Sequence, residues 1–338
     1  ASTMKLWKTI NLDAYPGMFV CPGDLNNDGR MDFLLYREGP QTTPGYLVAV
    51  DHAGQTLWQR GDSGLKSHTP DGYAQEPALR GIALIYDIDH DGHSEVITEF
   101  WENDNPMFYI LDGATGVTEK SRPSPLDLQV RSGRRTRCSP IGRIAFLDGK
   151  NPGIVLKYDA SKRVPCYGVA MDAELNTLWE LHANPHAMGH VPTVADVDGD
   201  GREEVLFGTL LADDNGKILW EKPVEKHADF TAIADVTDTP GKELFITICG
   251  TGPAYCMSLQ GEIIWEKTRK EVPHGQAIWV GNFLENHSGL EAVILYSGHT
   301  GDFMTVDAAT GKELARFHHY TVQERAYPDF PCPVNWMG

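Results

Sequence analysis

One short acidic signature recurs along this chain, and it constrains the fold more than any other feature. Residues 195–208 read ADVDGDGREEVLFG: Asp196, Asp198 and Asp200 alternate, Gly199 and Gly201 let the backbone turn, and Glu204 opens an apolar run. The pattern returns as GDLNNDGRMDFLLY from Gly23 and YDIDHDGHSEVITEF from Tyr86. Worn copies are ADVTDTPGKELFITI from Ala234, GNFLENHSGLEAVILY from Gly281 and FLDGKNPGIVLKY from Phe146. Each copy is followed by a turn and an outer strand, which carries Trp58, Trp179, Trp220 or Trp265 in four cases. A period of roughly 40–65 residues is that of propeller blades. Such sheets bury their faces only against one another. The expectation is an all-β fold, a single β-propeller domain over residues 1–338 with seven four-stranded blades. MKLWKTI and FPCPVNW, near the two ends, read as the outer and inner strands of a last, incomplete blade closed by both termini.

Composition agrees. Runs with apolar residues at helical spacing are scarce, while Gly 34 and Pro 21 punctuate short β-branched runs. No stretch is long and apolar enough to span a bilayer, so no membrane partner is expected. Lys and Arg number 29 against 47 Asp and Glu, a net charge of −18, which disfavours nucleic acid. A monomer is expected. Among six cysteines, Cys249 and Cys256 flank CGTGPAYC as a disulfide or a reduced pair, and Cys21 and Cys332 would clamp the ring if bridged. Calcium loops and disulfides point to an extracellular or periplasmic setting, with no secretory signal in view.

Three hairpins carry a full oxygen set: Asp24, Asn26, Asp28 and Asp32; Asp87, Asp89, Asp91 and Glu95; Asp196, Asp198, Asp200 and Glu204. Hard oxygen ligands at this spacing suit Ca²⁺, in up to three structural sites. In a propeller these hairpins share one face, and function is expected on the other. There His190, His227 and His274 precede consecutive inner strands, with Arg80 before another and His68 and His299 in connecting loops. A histidine near its ordinary pKa moves protons at neutral pH, and converging neutral imidazoles instead hold an additional divalent metal. The island VRSGRRTRC brings Arg134 and Arg135, whose guanidinium forks match a carboxylate. Trp101, Lys157, Tyr158 and Tyr167 lie near turns where aromatic and polar groups meet sugars.

The segments HVPTVADVDGDGREEVLFGTLLADDNGKILWE, HGQAIWVGNFLENHSGLEAVILYSG and VDAATGKELAR resemble the propeller of the rhamnogalacturonan lyases of polysaccharide lyase family 11, best over residues 186–316. Elsewhere the chain resembles the FG-GAP, or VCBS, calcium-propeller repeat. The resemblance implies a propeller with structural calcium, a glycan cleft at the channel mouth and eliminative cleavage of an acidic polysaccharide. Against the resemblance, the chain reads as shorter than those lyases, and their additional N-terminal β-domain is not expected in it. HGQAIW lacks the acidic residue and second histidine of the family pattern. Other seven-bladed lyases, such as ulvan lyases, use histidine, tyrosine and arginine.

β-Elimination at C5 of a uronate needs a neutralised carboxylate, a base and an acid for the leaving oxygen. Arg134 or Arg135 would neutralise, with Arg80 in reserve. His190, His227 or His274 would be the base and Tyr158 the acid, with His68, Trp101, Lys157, Tyr167 and His299 contacting substrate. The alternatives are a non-catalytic carbohydrate-binding propeller, a lectin, and a metal-dependent sugar dehydratase or hydrolase.

Overall fold

Alternating and β-branched runs between turn residues become strands in the computed structural model. It describes residues 9–12, 14–15, 19–39, 43–65, 82–103, 105–126, 140–158, 166–184, 187–222, 224, 226–250, 252–296 and 302–317. Among these no helix occurs, and the strands form six four-stranded antiparallel sheets. The all-β expectation holds. Six sheets are described where seven blades were expected, because FPCPVNW and most of MKLWKTI fall outside the described residues.

Contacts divide the chain into two compact units, residues 1–140 with 173–175, and residues 141–172 with 176–338. Unit 1 holds two sheets. The first is β1 (Phe19–Gly23), β2 (Asp32–Glu38), β3 (Pro44–Val50) and β4 (Thr56–Gly61). The second is β5 (Ala83–Tyr86), β6 (Glu95–Glu102), β7 (Asn105–Asp112) and β8 (Thr118–Pro123). Unit 2 holds four. They are β9 (Ile141–Ala145), β10 (Gly153–Tyr158), β11 (Cys166–Met171) and β12 (Thr177–Ala183); β13 (Pro192–Ala195), β14 (Glu204–Phe207), β15 (Leu210–Ala212) and β16 (Ile218–Glu221); β17 (Ala228–Ala234), β18 (Glu243–Ile248), β19 (Ala254–Met257) and β20 (Ile263–Lys267); and β21 (Gly275–Gly281), β22 (Glu291–Tyr296), β23 (Asp302–Asp307) and β24 (Glu313–Phe317).

Register is the same in every first hairpin. Gly23 pairs with Asp32, Tyr86 with Glu95, Ala145 with Gly153, Ala195 with Glu204, Ala234 with Glu243 and Gly281 with Glu291. The closing acidic residue of the signature therefore sits at the base of its hairpin. In unit 2 the first strands lie side by side, β9 against β13, β13 against β17 and β17 against β21.

The second strands β10 and β18 and the third strand β11 are buried along their whole length, so their apolar runs are continuous rather than alternating. Four outer-strand tryptophans fasten their sheet to the next within each unit. In unit 2, Trp179, Trp220 and Trp265 donate their indole N–H to the carbonyls of Asp214, Leu259 and Ala308, each at 2.8 Å. In unit 1, Trp58 does the same to Gly113 at 2.8 Å. The accepting turn lies flat on the indole. Gly216 has φ +81°, and a Cβ there would stand 2.7 Å from Trp179 Cγ, so both its left-handed backbone and its close approach require glycine. Core placement of these tryptophans is as expected: Trp58, Trp179 and Trp265 are buried and Trp220 is half-buried.

Candidate functional site

Each acidic hairpin is built by its own side chains. Asp24 accepts from the amides of Asp28 and Gly29, Asp87 from Asp91 and Gly92, and Asp196 from Gly199 and Gly201. The closing carboxylates are buried: Asp32 is 0% exposed, Glu95 2% and Glu204 1%. Each accepts one amide across the loop, from Leu25, Ile88 and Val197. Glu204 Oε1 has no hydrogen-bond partner. Burial, together with the neighbouring aspartates, pushes Glu95 and Glu204 up to about 7. Crowded carboxylates with an orphaned buried oxygen fit a hard cation bound to oxygens.

The worn hairpins solve the same problem with protein groups. Buried Glu243 accepts from the hydroxyls of Thr237 and Thr239 and from the Val236 amide. Buried Glu291 accepts from the amides of Phe283 and Leu284, and its other oxygen lies 2.7 Å from His287 Nδ1, an ion-pair distance with poor hydrogen-bond alignment. The imidazole also reaches Asp307 at 3.1 Å.

The opposite ends of the same first strands of unit 2 carry a different chemistry. The seven residues of β17, roughly 20 Å of extended chain, separate its acidic hairpin from its first residues. There the pairing of β17 with β18 shifts register between Ala228 and Phe230, which leaves Asp229 outside the ladder. Asp229 is 3% exposed. Its Oδ1 lies 3.5 Å from His190 Nε2 and 3.3 Å from His227 Nε2, and its Oδ2 lies 3.2 Å from His274 Nε2. The rings of His190 and His227 meet edge to face with centroids 4.4 Å apart. Backbone bonds fix the group: His190 N–H donates to Ala228 O at 3.0 Å and Cys249 N–H to His227 O at 2.9 Å. The Cys249 thiol completes the cluster, and neither it nor Cys256 is part of a disulfide.

Electrostatics follow from one buried carboxylate shared by several imidazoles. Burial opposes charge on His227, but hydrogen bonds to Asp229 and Cys249 outweigh it and hold the ring at about 9. His274, bonded to Asp229 and Cys249 and less desolvated, reaches about 10. Burial pushes Asp229 up, and the bonds from His227 and His274 more than reverse this, leaving it below the usual carboxylate range. Burial likewise raises the Cys249 thiol, and the same two imidazoles bring it below its ordinary value. His227 and His274 are therefore imidazolium at neutral pH. This corrects the expectation of histidines near their ordinary pKa for these two: the carboxylate that draws the rings together also keeps their protons on.

Two overlapping donor sets, His190, His227 and Asp229, and Asp229, Cys249 and His274, each keep their ligand atoms within 4.8 Å of one another. Nitrogen, oxygen and sulfur donors together fit a borderline divalent ion such as zinc when deprotonated.

Of the expected site residues, His190, His227 and His274 come together. Tyr158, Lys157 and Tyr167 are corrected: they are 0%, 1% and 4% exposed, on strands β10 and β11 that are buried on both faces, so none presents its side chain to a ligand. Trp101 is half-buried on β6 of unit 1. Arg80, Arg134, Arg135, His68 and His299 lie outside the described residues. Sequence reasoning missed Asp229 and Cys249. The signal for Asp229 was KHADFTAIAD, an acidic residue two places after His227 at the head of an apolar strand. Cys249 gave none, because its role depends on the neighbouring strands.

The chain matches the family described as Rhamnogalacturonan lyase family 11, C-terminal domain, over residues 132–327. It belongs to that family. The match takes in every residue of the histidine cluster. Among proteins similar to this family 11 chain, the rhamnogalacturonan endolyase YesW of Bacillus subtilis (strain 168) is 30% identical over 310 residues, covering 75% of this chain and 48% of that protein. The rhamnogalacturonan exolyase YesX of the same organism is 29% identical over 136 residues, covering 36% and 22%. The crystal structure of YesW superposes with a TM-score of 0.66 at 19% identity, over 88% of this chain and 57% of that one, which shows a shared fold. The chain spans about half the length of the endolyase it matches.

Proposed function

We propose that this chain is the β-propeller of a polysaccharide lyase that cleaves a uronate-containing glycan by β-elimination at the histidine cluster. The observation that carries the reading is the convergence of His190, His227 and His274, from the heads of three neighbouring strands, on buried Asp229. Family membership and rhamnogalacturonan lyases as relatives support an acidic, rhamnogalacturonan-like substrate. Seven blades and structural Ca²⁺ in three hairpins belong to the same proposal.

The roles follow from charge. Imidazolium His227 and His274 supply positive potential and hydrogen-bond donors where enolate charge builds after C5 loses its proton. His190 takes that proton and, as the C4–O4 bond breaks to leave the C4–C5 double bond, returns it to the departing O4, while Asp229 orients the rings. The donor sets support a second reading, in which His190, His227 and Asp229, or Asp229, Cys249 and His274, would hold a divalent ion that would supply the Lewis acidity. Metal analysis of the protein before and after mild chelation separates the two.

The test is incubation with a panel of uronate glycans while following ultraviolet absorbance of the unsaturated product. Rhamnogalacturonan is expected to give a rising trace, and His190→Ala to lower turnover by about 10²–10⁴. A flat trace across the panel with binding retained means a lectin.

A further inference from the structure

Arg143 is a half-buried arginine whose setting the fold leaves electrically incomplete. It stands in the middle of β9, opposite Val155, on the face that carries Ala145 and packs with Val194. Both Val155 and Ala145 are fully buried, and Arg143 itself is half-buried. Its only hydrogen bond is from Nη1 to the carbonyl of Gly142 at 2.9 Å. No carboxylate among the described residues pairs with it, and burial alone lowers its pKa from the ordinary guanidinium value. Arg60, Arg202 and Arg316, by contrast, each meet a carboxylate, at 3.2, 2.7 and 2.7 Å. A desolvated cation among apolar neighbours costs stability unless something pairs with it.

Its position relates it to the histidine cluster. Ala145, Ala195 and Ala234 hold equivalent places, each opposite the residue that opens the second strand. Arg143 lies two residues back from that level. Asp229 lies five back, one of which the register shift absorbs. Along the strand direction Arg143 is rooted about two residues deeper than Asp229, roughly 7 Å, and β13 lies between their two strands, beside both β9 and β17.

We propose that Arg143 is a carboxylate-binding residue of this site, taking a uronate carboxylate of the bound glycan on its guanidinium. The ligand supplies the missing counter-ion, and the planar fork accepts its two oxygens side by side. The inference rests on the proposed function for the identity of the ligand, as a uronate glycan, and not on the elimination chemistry.

The test compares binding of rhamnogalacturonan oligosaccharides with binding of the same oligosaccharides after their carboxyl groups are reduced to alcohols. Wild-type protein is expected to prefer the acid form by on the order of tenfold to a hundredfold, the range for a hydrogen bond to a charged group. Arg143→Met is expected to bind both forms alike, and Arg143→Lys to keep part of the preference. Arg143→Met is also expected to melt at or above the wild-type temperature, since it removes a desolvated charge that the fold does not pair. Retention of the full preference in Arg143→Met overturns the proposal, as does absence of any preference in the wild type. A clear fall in melting temperature would mark Arg143 as a structural prop and overturn it too. A carboxylate preference that Arg143→Met abolishes, in a protein that releases no unsaturated product, leaves Arg143 in place and removes the lyase reading alone.

Discussion

Asp229→Asn is expected to cost about 3–5 kcal/mol of stability and to lower turnover by about 10²–10⁴. The physical reason is that one carboxylate, 3% exposed, holds three imidazoles within 3.5 Å. The amide keeps the shape and loses the charge, so two half-buried imidazolium groups are left without their counter-ion. The pH dependence gives a sharper test. His227 and His274 stand at about 9 and about 10 in the fold, against about 6.5 in an unfolded chain. Raised values mean that their contribution is complete below about pH 6.5 and is lost as pH rises through 9 to 10. Asp229 is shifted the other way, so its share is present above about 3.9 and disappears as pH falls through its lowered folded value. Chemical denaturation from pH 6 to pH 10.5 should show wild-type stability falling through the upper part of this range and a much flatter profile for Asp229→Asn. An unchanged alkaline slope in the variant would mean that Asp229 is not what holds the protons on these rings.

Chelation of the Ca²⁺ proposed for the acidic hairpins is expected to have the second largest effect. Three hairpins bring buried Asp32, Glu95 and Glu204 against exposed aspartates, and Glu204 Oε1 has no partner within the protein. An ion at a hundred times its dissociation constant stabilises by about 2.7 kcal/mol per site. Loss of several such sites should therefore lower the melting temperature markedly, and added Ca²⁺ should restore it. The loss should also be local. Hydrogen exchange should speed up in the hairpins at 24–32, 87–95 and 196–204, and change little at 235–243 and 282–291. There Thr237 and Thr239 hydrogen-bond Glu243, and His287 stands at ion-pair distance from Glu291 as a protein counter-charge. A uniform change across all five, or none, would contradict a structural cation in these loops.

Much of the fold was legible because its signals are local. An alternating aspartate run with glycines between two apolar runs can form only a tight hairpin, and its recurrence implies repeated sheets. The tryptophan positions were legible for the same reason, although the indole bond to the next turn was not. Tyr158, Lys157 and Tyr167 show where local reasoning failed. Next to a turn in sequence they read as ligand contacts, yet β10 and β11 are covered on both faces and these side chains point into packed neighbours. The histidines were found by their equivalent places before successive strands. Their protonation was misjudged, because the group that sets it, Asp229, acts through a register shift that no periodicity announces.

The sequence by itself determined the repeat, the hairpins and their oxygen-rich loops, since each depends on residues close together along the chain. Only the tertiary structure decided which charges face each other: that Asp229 and Cys249 join three histidines, and that Arg143 is left with no carboxylate among the described residues. Electrostatic energy depends on separation in space and on desolvation, and both are fixed only when strands distant in sequence lie side by side.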